Sequence, residues 1–203
     1  MKIGPQYKIS RMVGDRIFPK CQTTKFAISG TKRRSTKRPP RPKTEYGLQL
    51  IEKQKARFSY CMTERQFSRY VKESQLAGKD NPSLYLYRLL ESRLDNVLFR
   101  MGLIPSRLFA RQVVAHGHIL VNGRRMSIPS YQVRQGDVIT VRGGSKESGL
   151  FKNLEERNKS YVLPDWLSVD LAKLEGKVSG TPGTGHAEAN INFGTIIEFY
   201  SRV

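Results

Sequence analysis

Acidic residues are what this chain has too few of. Its 203 residues hold 17 Asp and Glu against 36 Lys and Arg, a formal charge of +19 with a pI near 10.2. A compact monomer repels itself at such a charge, which predicts a polyanionic partner. Apolar residues are also sparse, at 38%. No apolar run approaches the roughly 20 residues of a membrane-spanning helix, and no signal-peptide core stands near the start. The expectation is therefore no membrane partner. Cysteine is nearly absent: Cys21 and Cys61 are too few for a disulfide framework, which predicts a reducing, cytoplasmic compartment. The two lack a CxxC partner, and His116 and His118 alternate around a glycine. That pattern gives no metal site, no cofactor and no small-molecule substrate.

The positive charge is uneven. Residues 1–44 carry thirteen Lys/Arg against the single acid Asp15, whereas residues 164–203 carry three Lys/Arg against five acids. Within the first stretch, Thr31-Lys32-Arg33-Arg34-Ser35-Thr36-Lys37-Arg38-Pro39-Pro40-Arg41-Pro42-Lys43 has three prolines in four positions. They prevent helix and bias the backbone toward extended geometry. Such a segment is disordered alone and can be ordered by laying it along phosphates. It reads as a basic arm.

From Thr44 the pattern turns helical. Thr44 is placed as an N-cap, and Leu48, Ile51, Lys55 and Phe58 recur at helical spacing. A second helix fits 63–76, with Thr63 and Gln66 in capping-box spacing and Phe67, Tyr70, Val71 and Ser74 on one face. Residues 83–101 read as one helix. Tyr87, Leu90, Leu94, Val97, Leu98 and Met101 fall in a stripe about 100° wide, and Gly102 caps its end. Asp95 falls off that stripe, at a surface position where an ion pair suffices. Ser106 caps a helix over 107–115 that ends at Gly117. On it, Arg107 and Arg111 are i,i+4 neighbours while Ala110, Val113 and Val114 lie elsewhere, so core and RNA-facing edge are expected to be separable.

Asn122-Gly123 predicts a type I′ hairpin turn between Ile119–Val121 and Arg125–Ile128. Gly136-Asp137 turns the chain into the alternating strand Val138–Val141. Residues 143–160 and 176–190 read as loops. Phe193, Ile196, Ile197 and Tyr200 restore helical periodicity at the C-terminal end. Arg107, Arg111, His116 and the Gly123-Arg124-Arg125 turn are the basic groups that converge on a groove for phosphates. Few aromatics stand among them, so recognition of structured RNA by backbone shape fits better than base stacking.

The run Ser106–Gly117, followed by Ile119–Gly123 and Tyr131–Val141, resembles the S-four RNA-binding domain. Tyr46-Gly47-Leu48-Gln49-Leu50-Ile51-Glu52-Lys53-Gln54-Lys55, Thr63-Glu64-Arg65-Gln66-Phe67 and Arg93-Leu94-Asp95-Asn96-Val97 with Arg100-Met101-Gly102 extend the likeness. So do Pro164-Asp165-Trp166-Leu167, Leu174-Glu175-Gly176 and Ile196-Ile197-Glu198-Phe199-Tyr200-Ser201-Arg202. In order, from about residue 44 onward, they resemble the bacterial-type small-subunit ribosomal protein S-four family; residues 14–43 match poorly. The resemblance implies an α+β chain: a basic arm over 1–43 and a helical domain over 44–92 completed by a C-terminal helix at 190–203. Between them, 93–189 hold an inserted S-four domain, short helices on a small antiparallel sheet, with its following loops.

The same resemblance implies a structural constituent of the small ribosomal subunit that binds 16S-type rRNA early. Such a protein nucleates the 5′ domain, lies by the channel through which mRNA enters, and supports decoding accuracy. Ribosomal proteins S-five and S-three are the implied neighbours, on a cytoplasmic or organellar ribosome. The expected rRNA contacts are Arg33, Arg34, Lys37, Lys53, Lys55, Arg65, Arg69, Arg107, Arg111, Gln112, His116, Asn122, Gly123 and Arg124. Arg38, Arg41 and Lys43 are expected at the mRNA channel. Some relatives bind zinc through four cysteines in the arm; this arm has only Cys21. Two other readings stand: a free S-four RNA chaperone, which has no need of the helical domain, and an RNA pseudouridine synthase. Some such synthases use the Asp of an Arg-Leu-Asp motif, but here Arg93-Leu94-Asp95 runs on into a helix and too little chain follows for a catalytic domain.

Overall fold

The structure, a computed structural model, describes residues 3–23, 26, 42–77, 81–146, 149–151, 154, 161–183 and 191–202. In chain order its helices are α1 (Gln6–Val13), α2 (Glu45–Ser59), α3 (Glu64–Leu76), α4 (Pro82–Glu91), α5 (Leu94–Arg100), α6 (Arg107–Ala115), α7 (Gly143–Lys146) and α8 (Phe193–Ser201). The strands are β1 (Ile119–Val121), β2 (Arg124–Met126), β3 (Val138–Val141), β4 (Leu167–Asp170) and β5 (Glu175–Val178). The chain forms two compact units, Met1–Ser83 with Asn190–Val203, and Leu84–Ala189.

The first unit is helical, and its caps follow from side-chain chemistry. Thr44 accepts from Gly47 N at 3.2 Å, Thr63 from Gln66 N at 3.4 Å, and Asn192 from Thr195 N at 3.1 Å. Each satisfies one of the N–H groups that a helix start leaves without a partner. α8 packs along α2 and on α3. The sequence reading took residues 1–43 as arm throughout, but residues 3–23 and 26 contain folded structure. α1 is followed by a short 3-10 turn at Pro19–Cys21 and packs on α2. Val13, Phe18, Cys21, Phe26 and Phe58 close into a small core. Those apolar residues are too widely spaced for periodicity to register; a helix and a turn bring them together. Ser10 Oγ donates to Cys21 Sγ at 3.2 Å inside this core.

In the second unit the expected single helix over 83–101 is two helices. α4 stops at Glu91 and α5 starts at Leu94, with Arg93 extended between them (φ −70°, ψ 137°) and bridged to Gln132. Here the backbone pairs outside the helix: Val133 N donates to Ser92 O at 2.8 Å and Leu94 N to Tyr131 O at 2.9 Å. The apolar stripe continues through the break: Tyr87 and Leu90 are buried on one side of it, and Leu94, Val97, Leu98 and Met101 on the other. This compact unit begins at Leu84, within the stretch 44–92 that the sequence reading assigns to the helical domain. Glu91 binds Asn96 and Arg100, and Gln132 Nε2 donates to Leu89 O at 3.1 Å.

The sheet has five antiparallel strands in the order β2-β1-β3-β5-β4, two more than the sequence reading found. β5 begins where an irregular loop was expected. Its Gly176 pairs with Ile139 and Val169. A Cβ there would meet Met101 Sδ at 2.5 Å, so glycine permits the close approach of strand and helix. Leu94, Val97 and Leu98 of α5, Ala110, Val113 and Val114 of α6, and Ile119, Val121, Ile139, Val141, Leu167 and Val178 of the sheet form one core.

Asp95 is not at the surface. Arg93 donates to it twice, Nε to Oδ1 at 3.0 Å and Nη2 to Oδ2 at 2.7 Å, with side chains 0% and 4% exposed. Asp95→Ala leaves that buried guanidinium without its carboxylate, which destabilises by about 3–5 kcal/mol. Arg202→Ala removes the exposed pair with Glu45 (2.9 Å) and shifts stability by less than about 1 kcal/mol. Urea denaturation of the two variants measures the contrast.

Candidate nucleic-acid interface

In the second unit the expected contacts lie on α6 and on the hairpin that follows it. Ser106 Oγ accepts from Phe109 N at 3.3 Å and starts the helix. Ala110, Val113 and Val114 face the core, leaving Gln112 and His116 exposed and Arg111 half-buried. The chain turns out of the helix through Gly117 (φ 73°) into β1. Asn122 (φ 50°) and Gly123 (φ 77°) then make the hairpin turn, both with the positive φ that a type I′ turn needs. Asn122 is a scaffold residue: Nδ2 donates to Asp137 Oδ1 at 2.8 Å, and Oδ1 accepts from Val138 N at 2.9 Å.

Arg125 ties this turn to α6. Its Nη2 donates to His116 O at 3.3 Å, placing a cation on the negative end of the helix dipole. The guanidinium rests where a Cβ on Gly117 would lie. Gln112, His116 and Arg124 are exposed, and Arg125 links the helix to the hairpin. Sequence reasoning grouped Arg125 with Arg124 but had no signal for this tie. His118, set 6.0 Å from the His116 ring, is occupied inward, its Nδ1 2.9 Å from Ser145 Oγ.

Arg107 does not belong with a separable edge. It is half-buried; its Nε donates to Asn96 Oδ1 at 2.6 Å and its guanidinium lies 4.6 Å from the Phe99 ring centre. The i,i+4 relation to Arg111 holds along the helix, but the α5 surface claims this side chain. Lys53 and Lys55 are likewise engaged within the first unit. Lys53, 7% exposed, donates to Glu64 Oε1 at 2.7 Å and lies 4.9 Å from the Phe199 ring centre. Lys55 Nζ is 3.1 Å from Asp15 Oδ2, its side chain 13% exposed. Arg65 and Arg69 remain exposed as i,i+4 neighbours on α3, and Lys72 extends their stripe, a residue the sequence reading did not single out. Lys43 is exposed beside the cap of α2; Arg33, Arg34, Lys37, Arg38 and Arg41 lie outside the described residues.

Two family models match adjoining stretches of the chain. A ribosomal protein S4/S9 N-terminal domain covers residues 1–91 and an S4 domain covers 92–139. A small ribosomal subunit protein uS4 of Halothermothrix orenii is 43% identical over 208 residues, spanning 98% of each chain. The chain belongs to the ribosomal protein S4 family. Proteins of that same description from Roseiflexus castenholzii (45% over 205 residues) and Geobacillus stearothermophilus (41% over 210) also span 98% of each chain. The family is structural rather than enzymatic, and its second unit carries an S4 RNA-binding domain. Asp95, the one residue with a catalytic look in the sequence, is locked against Arg93 inside the core. Among the described residues no group of three His, Cys, Asp or Glu could hold a metal ion, and no helix is long and apolar enough to cross a membrane.

Glu64 organises the basic groups of the first unit. Burial pushes its carboxyl up, but hydrogen bonds from Lys53 and Tyr200, with the charges of Lys53 and Arg57, outweigh it and hold the carboxyl below its ordinary value. A carboxyl lowered on folding stabilises above its unfolded pKa, and that contribution is lost as pH falls through the folded value. The melting temperature of the first unit therefore declines in acid below about pH 4, and Glu64→Gln flattens that part of the profile, read by thermal melting across the acid range.

Stability also separates the cations of the second unit. Arg107→Ala forfeits the bond to Asn96 and the stacking on Phe99, lowering stability by about 1–3 kcal/mol. Arg124→Ala, at an exposed site, changes it by less than about 0.5 kcal/mol. Thermal melting of both variants against wild type checks the ranking.

Proposed function

We propose that the protein is a structural component of the small ribosomal subunit that binds 16S-type rRNA early and nucleates folding of the 5′ domain. The carrying observation is the end-to-end likeness to small-subunit uS4 proteins, 43% identity across 98% of both chains. The geometry supports it with exposed cations on rigid elements. Arg65 and Arg69 on α3 contact phosphates from the first unit. Arg111, Gln112, His116 and Arg124 contact RNA from the second, with Asn122 and Gly123 shaping the turn. Arg107 and Lys53 act behind these faces as packing residues, and Lys55 is held in its ion pair. In the arm, Arg33, Arg34 and Lys37 follow the rRNA backbone. Arg38, Arg41 and Lys43 reach the channel through which mRNA enters, beside ribosomal proteins S-five and S-three, and this placement supports decoding accuracy. The compartment is the cytoplasm or an organelle with its own ribosomes.

Neutralising phosphates with many Lys and Arg releases counterions, so affinity falls steeply with salt. Filter binding of the full chain to a small-subunit 5′-domain transcript gives a log–log salt slope of several units. Arg124→Ala weakens the complex by about tenfold, the value of one charge-assisted contact. A slope near one, or equal affinity for an unrelated structured RNA, contradicts the reading.

A further inference from the structure

The first unit is discontinuous in the chain. Its two parts, Met1–Ser83 and Asn190–Val203, are separated by the whole of the second unit, so synthesis from the N-terminus delivers α8 after everything it packs against. α8 is no passive lid. Tyr200 Oη donates to Glu64 Oε1 at 2.7 Å, at the first turn of α3. Gln75 Nε2 donates to Ser201 Oγ at 3.2 Å, at the last turn of the same helix. α3 is thus gripped at both ends, and between them lie Arg65, Arg69 and Lys72. Along α2, Glu52 Oε2 accepts from Asn192 N at 3.2 Å and Glu45 Oε1 accepts from Arg202 Nη2 at 2.9 Å.

The centre of the contact is an ion pair shielded on the lysine side, with the Lys53 side chain 9% exposed and that of Glu64 44%. The Lys53 ammonium sits 4.9 Å from the Phe199 ring centre and 5.7 Å from that of Tyr200, while pairing with Glu64. Phe67, 0% exposed, meets the Tyr200 ring at 6.2 Å. Take α8 away and Lys53 loses the two rings beside it, Glu64 loses the Tyr200 hydroxyl, and the apolar face of α3 loses part of its cover.

We propose that α8 is a latch that licenses RNA binding by the first unit: until it docks, α3 is not held and its basic stripe is not presented. The consequence is that the helical unit engages RNA only from a completed chain, whereas the α6 neighbourhood of the second unit has no such dependence. The RNA half of this statement rests on the rRNA-binding role proposed above; the structural half does not.

Hydrogen exchange on the full chain separates the two. Ile196, 0% exposed on α8, is replaced as Ile196→Asp to unseat the helix. Amides of α2 and α3 are expected to exchange at least about tenfold faster, those of α5, α6 and β1 within about twofold of wild type. Affinity for the 5′-domain transcript is expected to fall at least about tenfold. Tyr200→Phe, which removes only the hydroxyl on Glu64, serves as a milder variant with faster exchange confined to the start of α3. Unchanged protection of α2 and α3 in Ile196→Asp overturns the latch. So does loss of protection in α5 and β1 alongside them, or lost protection with RNA affinity intact. Failure of the wild-type chain to bind the transcript refutes the rRNA role instead, and exchange alone then decides whether α8 holds α3.

Discussion

Glu91 is the point on which the second unit turns. It is 0% exposed, and a carboxylate at such a depth is tolerable only if its lone pairs are filled. Arg100 fills two, Nε to Oε2 and Nη2 to Oε1, both at 2.9 Å, and Asn96 Nδ2 donates at 2.8 Å. Asn96 then accepts Arg107 through its other side-chain atom. One acid at the end of α4 so fixes α5 and, through Asn96, the start of α6. The polar relay lies beside an apolar core that has no directional preference of its own. Packing of Ala110, Val113 and Val114 sets which face of α6 turns inward; the relay pins the start of that helix to α5.

That division explains the fate of the basic residues. A net charge of +19 gives no guarantee that any particular cation is available. Arg93, Arg100, Lys53 and Lys55 are consumed by the few acids present, because a scarce carboxylate attracts the nearest long cation that can reach it while burying its stem, and Arg107 is taken by the Asn96 amide. What remains outside is a smaller and better-ordered set. Scarcity of acid is therefore a sorting device as much as a source of repulsion.

Local chemistry was legible in the sequence wherever one residue type has a single use. Thr44, Thr63 and Ser106 cap the helices they were expected to cap, and Asn122-Gly123 adopts the two positive φ values its turn requires. The S4 likeness carried the overall arrangement. The break at Ser92-Arg93 was hidden because the buried apolar residues of the two helices fall at positions that one continuous helix would also place in a single stripe. β4 and β5 were hidden because Leu167–Asp170 and Glu175–Val178 carry few apolar residues and no two-residue turn like Asn122-Gly123 stands between them. For the interface, exposure was the missing quantity. Arg107 and Arg111 are equivalent on a helical wheel, and only the Asn96 and Phe99 surfaces of α5 tell them apart.

Gly117 carries a consequence of a different kind. Its missing side chain is the seat on which the Arg125 guanidinium rests. A free arginine at a hairpin tip samples many rotamers, and ordering a long side chain at an interface costs about 0.5–1.5 kcal/mol. Seated against the end of α6, Arg125 surrenders that freedom during folding, before any ligand arrives. The glycine thus acts as preorganisation: the order of this side chain is settled within the folded protein and is not left to any later contact.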